Sequence, residues 1–454
     1  MECGLWCNMS GDRSFSIWSI ALAGLICLLS AMPAWSEDSG PAIRIFIAKT
    51  RGEADAALAA IRGGKPFDQI VRERSIGPER QRGGYLGHVD AEGVSSAIRA
   101  ALERTRPGQV SPVFQAEGGF AILQVLDAKQ EQEALAAEQA LRDAREEWRR
   151  GTQAGQAGDL EAARQALERA VRMDPTLQDA HFNLGIALWR LGKKDEAIKA
   201  MQEATRLRPS DGDAQMRLGN WLYETGRVPE AIERFERVAT MEPESPAIWR
   251  RLGEAYSAAT KYEAAVRAYR RHLELLGRDD LGASAAWLQA ALRAKDGPAA
   301  VEAAKVYRRV QTGSTGFFAM GEALLLNGDA AGAVRELEMA ISLTPASAPG
   351  RFSLAAAYAN LGKPEQAAEQ LIRAIDLSPE PNYYLQLSRL YRHTNRVDLA
   401  IVALRDGVDA AATKAPTLQP DMLDELADLY ERADMRHQAE SARTQAKALR
   451  AEKR

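Results

Sequence analysis

The pattern of apolar and polar positions between residues 178 and 243 repeats after 34 residues. Within each copy, large apolar residues recur at helical spacing, two positions are small, and a proline closes the unit. The matched positions are Leu184 and Leu218, Gly185 and Gly219, Leu188 and Leu222, Ala197 and Ala231, Met201 and Phe235, and Pro209 and Pro243. A fixed period of this length predicts stacked helical hairpins, in which the small residues allow close helix approach and the proline ends the second helix.

These residues resemble the tetratricopeptide repeat family, and the resemblance covers most of the chain. It places repeats one to four at residues 144–277, a degenerate repeat at 278–313, where the pattern loosens after Gly277, and further repeats with a capping helix at 314–454. The resemblance implies a mainly α protein, a tetratricopeptide α-solenoid of about nine repeats.

The chain begins with an apolar run over residues 17–34, preceded by Arg13 and followed by Ala34-Trp35-Ser36. This arrangement is typical of a secretory signal peptide and predicts one at residues 1–36. Two alternatives stay open: a retained anchor in the inner membrane, since the run approaches spanning length, and translation from Met9.

Residues 37–130 lack the repeat and predict a small α+β domain. The β-branched, apolar runs at 42–48 and 120–126 favour strands, and the segments between them favour amphipathic helices. The segments KPFDQIVRERSIGPERQRGGYLG and RPGQVSPVFQAEGGFAILQVL resemble the parvulin family of peptidyl-prolyl isomerases. The overall prediction is therefore a solenoid preceded by a parvulin-like domain.

The resemblance also implies where catalysis would occur. Parvulins use two histidines and a cysteine or aspartate, and the matching positions are Arg44, Ala121 and either Ile76 or Gly77. None keeps the family's residue type, so we predict that the catalytic residues are absent and that isomerase activity is uncertain. A silent domain that holds polypeptide segments, a weak isomerase and a structural spacer remain the three interpretations.

The family's apolar proline pocket is partly retained, and we expect Val94, Ile98 and Phe120 to bind substrate. His88 is the only histidine of this domain and directly follows its glycine turn. We expect it to be a partly exposed turn residue, with a relocated catalytic role as the alternative.

Residues 131–150 contain neither glycine nor proline and are rich in Ala, Glu and Arg, which predicts a continuous helical linker. We expect this helix to be a solvated connector that runs directly into the first repeat.

In tetratricopeptide proteins the ligand surface is usually the concave face, formed by the first helix of each repeat. For repeats two and three, the residues expected on this peptide-binding face are Phe182, Ile186, Trp189, Met216, Asn220 and Tyr223. The alternative is that some of them pack against neighbouring repeats.

Composition narrows the possible ligands. A net charge of -3 and a pI near 6.1 do not give the basic footprint of a nucleic-acid-binding protein. The five histidines are widely spaced, and all three cysteines lie within the leader, so we predict neither metal nor cofactor.

Together these features predict an exported, periplasmic or secreted, factor that binds client or partner polypeptides, as a chaperone or envelope assembly factor. Membrane contact is expected only through an uncleaved leader. The alternatives are an active isomerase targeted by its repeats and a pure scaffold of an envelope or secretion complex.

Overall fold

The computed structural model describes residues 40–90 and 92–451 of the chain. The predicted signal peptide lies outside these residues. The chain divides into two compact units, Met1–Pro209 and Ser210–Arg454, and each is described separately.

The first unit opens with a four-stranded antiparallel sheet in the order β2-β1-β4-β3. The strands are β1 (Ala42–Ala48), β2 (Tyr85–His88), β3 (Phe114–Ala116) and β4 (Gly119–Val125). Strands β1 and β4 correspond to the two predicted apolar runs and pair along their length. Both lie at the centre of the sheet, which explains why apolar residues occupy both of their faces.

Three helices cover the two faces of this sheet: α1 (Arg51–Arg62), α2 (Phe67–Arg74) and α3 (Ser96–Glu103). Helices α1 and α2 pack on the face that carries Phe46 and Ile122, whereas α3 packs on the other face through Ile98. A short 3₁₀ turn (Pro78–Arg80) leads to Gly84, which has a positive φ of 78°. A Cβ at Gly84 would lie 2.3 Å from the Ile45 carbonyl oxygen, so the approach of this turn to β1 requires glycine.

Helix α4 (Ala128–Gln156) connects this domain to the first hairpin without a break. Its Ala134 is buried in a cluster with Ala42, Tyr85 and Leu126 of the domain. The prediction of a solvated connector is therefore wrong for this part of the helix, because one face of α4 packs on the domain and excludes water.

Two ion pairs flank that packed face. His88 Nε2 lies 2.7 Å from Glu131 Oε1, and Arg82 Nη2 lies 2.7 Å from Glu138 Oε1. Both acids are on α4, each about one turn from Ala134, so the helix is held to the domain by apolar contact and by charge.

The rest of the first unit consists of helical hairpins. The end of α4 packs against α5 (Leu160–Met173), and α6 (Gln178–Arg190) packs against α7 (Lys194–Leu207). A Cβ at Gly151 would lie 2.6 Å from Leu167 Cγ, which shows why the small residue of the motif is needed where the two helices meet.

The second unit continues with the same hairpins. Its helices are α8 (Gly212–Glu224), α9 (Val228–Met241), α10 (Pro246–Ala258), α11 (Tyr262–Leu276), α12 (Leu281–Ala294), α13 (Gly297–Val310), α14 (Ser314–Leu326), α15 (Ala330–Leu343), α16 (Ala348–Asn360), α17 (Pro364–Leu377), α18 (Pro381–His393), α19 (Val397–Lys414), α20 (Gln419–Arg432) and α21 (Arg436–Ala451). The motif glycines again contact the large residue of the partner helix, as Gly219 does with Phe235 and Gly253 with Tyr269. The predicted fold class is confirmed: a tetratricopeptide-like helical array preceded by a small α+β domain.

The segment predicted to be a degenerate repeat forms a regular hairpin, α12 with α13. Asp296 caps α13 by accepting a hydrogen bond from the amide of Ala299, and Trp287 is only 2% exposed. Capping and apolar packing therefore maintain the hairpin where the sequence motif is weak.

In the part of the chain that the structure describes, none of the helices has the length and apolarity to cross a membrane.

Candidate functional site

One face of the N-terminal sheet is closed by apolar side chains. Ile45 lies opposite Leu123 and Ile47 opposite Ala121 in the β1–β4 pairing, and all four are at most 8% exposed. Ile98 of α3, at 6% exposure, packs on the same cluster. The face is therefore a hydrocarbon core with little space for water or a polar group.

The positions that match the two parvulin histidines lie on opposite faces of this sheet. Arg44 pairs with Gln124, and Ala121 pairs with Ile47, so the alternation along the strands directs Arg44 and Ala121 away from each other. The two chain neighbours of Arg44, Ile43 and Ile45, share the face of Ala121, and both are apolar. The positions that match the two histidines, and the chain neighbours of Arg44, therefore do not place two polar residues together on one face of the sheet.

Arg44 instead contributes to the packing of α2 on the sheet. Its Nη1 lies 3.5 Å from Asp68 Oδ1, and its side chain is 13% exposed. Burial lowers the pKa of the Arg44 guanidinium, while the nearby Asp68 carboxylate opposes that effect. The ion pair thus compensates in part for burying a cation beneath the helix.

The position matching the family's cysteine or aspartate lies in a loop tied to the end of β1. The amide of Ile76 donates to the Ile47 carbonyl at 2.9 Å. Ser75 is 2% exposed, and its hydroxyl oxygen accepts from the amides of Ile47 and Gly77, each at 3.1 Å. Sequence comparison did not single out Ser75, which organises this loop but makes its hydrogen bonds with the backbone.

Only two of the three predicted proline-pocket residues meet. Val94 and Ile98 belong to the cluster on the α3 side, whereas Phe120 packs with the cluster on the α1 and α2 side. Ile98 is buried, so the predicted pocket is filled by the domain's own core.

His88 interacts with two acceptors at the edge of the sheet. Its Nδ1 lies 2.6 Å from the Gly40 carbonyl oxygen and its Nε2 2.7 Å from Glu131 Oε1. The hydrogen bond to the Gly40 carbonyl, together with the Glu131 carboxylate, raises the pKa of His88, and burial opposes this only in part. This arrangement holds α4 to the domain and lies apart from the α3 face of the sheet.

The residues predicted on the concave face of repeats two and three differ in exposure. Phe182 and Ile186 are each 6% exposed and act as packing residues, as the alternative interpretation expected. Trp189 is half-buried, with Lys194 Nζ 5.3 Å from the centre of its ring. In the second unit Met216, Asn220 and Tyr223 are each half-buried, so part of each side chain is exposed.

A recess in the second unit was not predicted from the sequence. It has a volume of about 170 Å³ and lies between the first helices of two successive hairpins, α16 and α18, with α17 beneath. Its lining residues are Phe352, Ala355, Ala356, Ala359, Ala367, Leu371, Gln386, Arg389 and Leu390. The signal in the sequence is the run LAAAYAN of α16, where small side chains replace the larger ones of FNLGIALWR and MRLGNWLYE.

The lining of this recess suits part of a polypeptide. Four alanines with Phe352, Leu371 and Leu390 give it an apolar surface, and Gln386 brings an amide to the same site. Arg389 is held by the Glu425 carboxylate. Such a mixture of apolar walls and one hydrogen-bonding group is typical of a pocket for an apolar side chain and the adjacent backbone.

Comparisons with known proteins agree with both parts of the fold. The sequence profile described as a PPIC-type PPIASE domain matches residues 44–127, and a tetratricopeptide repeat profile matches 149–214, 216–280 and 352–416. The chain joins a PpiC-type domain to tetratricopeptide repeats. The PpiC-type match coincides with the domain whose sheet face is apolar.

The curated relatives resemble the chain over a short segment. Chaperone SurA of Methylobacillus flagellatus is 33% identical over 81 residues, which is 18% of this chain and 18% of that protein. Chaperone SurA of Burkholderia orbicola is 31% identical over 86 residues, 19% of each. The chain thus spans about a fifth of the length of these relatives.

Among solved structures, the C-terminal part of a TPR repeat-containing protein from Cytophaga hutchinsonii is 18% identical. The match covers 52% of this chain and 95% of that chain, with a TM-score of 0.40.

Among the described residues, no group of three or more His, Cys, Asp or Glu side chains is placed to hold a metal ion.

Proposed function

We propose that this protein is an exported factor that binds polypeptides through its repeats and its PpiC-type domain, without catalysing prolyl isomerisation. Its clients are unfolded or partly folded chains in the cell envelope, and its role is that of a chaperone or assembly factor. The apolar leader of residues 17–34 supports export, and the SurA relatives are chaperones by name.

The observation that carries this proposal is the recess between α16 and α18. It offers an apolar surface next to the Gln386 amide, between the first helices of two successive hairpins. An apolar side chain of an extended or helical client would be removed from water there, and the amide would hydrogen-bond the client backbone. Recognition of this kind depends on hydrophobicity and backbone, so it fits clients of many sequences.

The buried apolar sheet face of the PpiC-type domain supports the absence of catalysis. Prolyl isomerisation has a barrier of about 18–20 kcal/mol, and parvulins lower it with a polar cluster beside the proline. Here the corresponding face consists of Ile45, Ile47, Ala121 and Leu123, closed by Ile98. These hydrocarbon groups can neither polarise a prolyl carbonyl nor donate to the prolyl nitrogen.

The test is suppression of client aggregation. Citrate synthase would be heated with increasing amounts of the full chain while light scattering is recorded, with bovine serum albumin as the control for crowding. The proposal predicts that scattering falls in proportion to the amount of chain added. Unchanged scattering at excess chain, together with recovery of one or two fixed partners at a defined ratio, would instead identify a scaffold.

A further inference from the structure

A cleft in the first unit is lined mainly by arginines. It has a volume of about 600 Å³ and lies between α2 with its following turn, α4, and the hairpin of α6 and α7. Its basic residues are Arg72, Arg80, Arg145, Arg149 and Arg208, and its acidic residues are Asp174 and Asp179. The whole chain has a net charge of -3, so this is a local excess of positive charge.

Three of these arginines are fixed by contacts within the protein. Arg72 Nη1 lies 3.1 Å from Asp68 Oδ2. Arg80 donates from Nε to the Arg72 carbonyl at 2.6 Å and from Nη2 to the Glu73 carbonyl at 2.9 Å, at the end of α2. Arg208 Nη1 is 3.4 Å from Asp179 Oδ1. These contacts hold the wall of the cleft in place.

The remaining two, Arg145 and Arg149, have no carboxylate within 4.0 Å among residues 40–90 and 92–451. The neighbouring arginines on the same helix do have carboxylate partners: Arg142 is paired with Glu138, and Arg150 with Glu147. Arg145 and Arg149 are both exposed and four residues apart, a spacing at which like charges repel on a helix. An anionic ligand would remove this repulsion, whereas an empty cleft retains it.

The acidic residues of the cleft do not supply that anion. Asp174 is 8% exposed, and its Oδ1 accepts from the amide and the hydroxyl group of Thr176. Asp179 is next to Arg208. Neither forms an ion pair with Arg145 or Arg149.

Trp148 gives a second, independent observation. It lies between the two arginines in sequence, lines the cleft, and its buried Nε1 has no hydrogen-bond acceptor in the described part of the chain. A buried indole N–H ordinarily has one. The cleft thus combines two arginines that lack a carboxylate partner with an aromatic wall whose indole N–H is unpaired, and carboxylates of a ligand would pair with the two guanidinium groups.

We propose that this cleft binds acidic segments of polypeptides, with Arg145 and Arg149 pairing with aspartate or glutamate side chains of the ligand. The volume accommodates a few residues of an extended chain, and the PpiC-type domain and the first two hairpins each form part of its wall. The site extends the proposed function, because it would select clients by charge where the recess of α16 and α18 selects by hydrophobicity.

The experiment measures fluorescence anisotropy of two labelled peptides with the full chain. One peptide is rich in Asp and Glu, and the other has Asn and Gln at the same positions, both with blocked ends. Arg145→Ala/Arg149→Ala is compared with Arg62→Ala/Arg104→Ala, which removes the same charge from two exposed arginines of the same unit outside the cleft. Thermal unfolding by circular dichroism checks that both variants fold.

The proposal predicts that the acidic peptide binds the parent chain, more weakly as salt rises, and that the amide peptide does not. The Arg145→Ala/Arg149→Ala variant should lose about tenfold in affinity, and the control variant less than about twofold. Equal losses in both variants, binding of the amide peptide with similar affinity, or no binding of the acidic peptide to the parent chain would overturn it.

A single-stranded oligonucleotide of equal charge provides a further check. If it binds as tightly as the acidic peptide and depends equally on Arg145 and Arg149, the cleft is a general anion site and the proposal is wrong. The Arg145→Ala/Arg149→Ala variant should still suppress aggregation of citrate synthase, so failure of the cleft and failure of the proposed function give different results.

Discussion

Filling the recess between α16 and α18 should weaken client binding. Ala356 is exposed on α16 and lines the recess, so Ala356→Leu places three additional carbon atoms in a volume of about 170 Å³. Alanine and leucine both favour helices, so the substitution should leave α16 intact. The change acts on the space that a client side chain would occupy.

The magnitude follows from the burial that the client loses. Fully burying one leucine-sized side chain contributes about 1.5–3 kcal/mol, so blocking the recess should lower affinity roughly ten- to a hundredfold. The assay is fluorescence anisotropy with a labelled, uncharged peptide of alternating leucine and serine. Because the peptide is neutral, the arginine-lined cleft should not contribute to this measurement.

Ala331→Leu is the matched control. Ala331 is also an exposed alanine on a helix of the same unit, α15, but it does not line the recess. The account predicts unchanged affinity for Ala331→Leu and equal thermal stability for both variants. If Ala356→Leu binds the peptide as well as the parent chain does, the recess is not a client site and the reasoning is refuted.

Two further predictions concern stability. Gly219→Ala should destabilise the second unit by about 1–3 kcal/mol, because the new Cβ would lie 2.5 Å from Phe235 Cε1; urea unfolding with an unchanged midpoint would contradict this. The raised pKa of His88 means that the folded protein binds this proton more tightly than the unfolded chain. The resulting stabilisation is therefore complete below the unfolded pKa of about 6.5 and is lost as pH rises through the raised value. Glu131→Gln should lower the pKa of His88 in an NMR titration, and an unchanged pKa would show that the contact with α4 is not formed in solution.

The sequence predicts the repeats because each motif position has a local packing role. Gly219 and Phe235, for example, are 16 residues apart and meet within one hairpin, so their spacing is visible in the chain. The loosened segment 278–313 forms a hairpin as well, since Trp287 and the cap at Asp296 replace the missing motif contacts. Local patterns of this kind carry most of the information about an α-solenoid.

The candidate site depends on contacts that are distant in the sequence. Whether Arg44 and Ala121 share a face is set by the register of β1 against β4, and a shift of one residue reverses every side chain of a strand. The sequence motif alone does not fix that register. The same limit explains why the packing of Ala134 on Tyr85 was not predicted: the amphipathicity of α4 is weak and alanine gives no strong signal.

The exposure of side chains on the first helix of each repeat is likewise set by the helices that pack against it. Phe182 and Met216 occupy equivalent positions 34 residues apart, yet one is buried and the other half-buried. The recess of α16 arises where small residues such as Ala356 leave space, a feature that becomes a site only when α18 lies beside it.

The most direct test of binding without catalysis is cis–trans exchange of an Xaa-Pro peptide, followed by NMR with and without the full chain. The peptide would place a proline between leucines, and uncatalysed exchange takes tens to hundreds of seconds, so acceleration is readily detected. The account predicts that the peptide resonances broaden or shift while the exchange rate stays at its uncatalysed value. Accelerated exchange that Ile98→Asp abolishes in a chain that still folds would contradict it and identify an active isomerase.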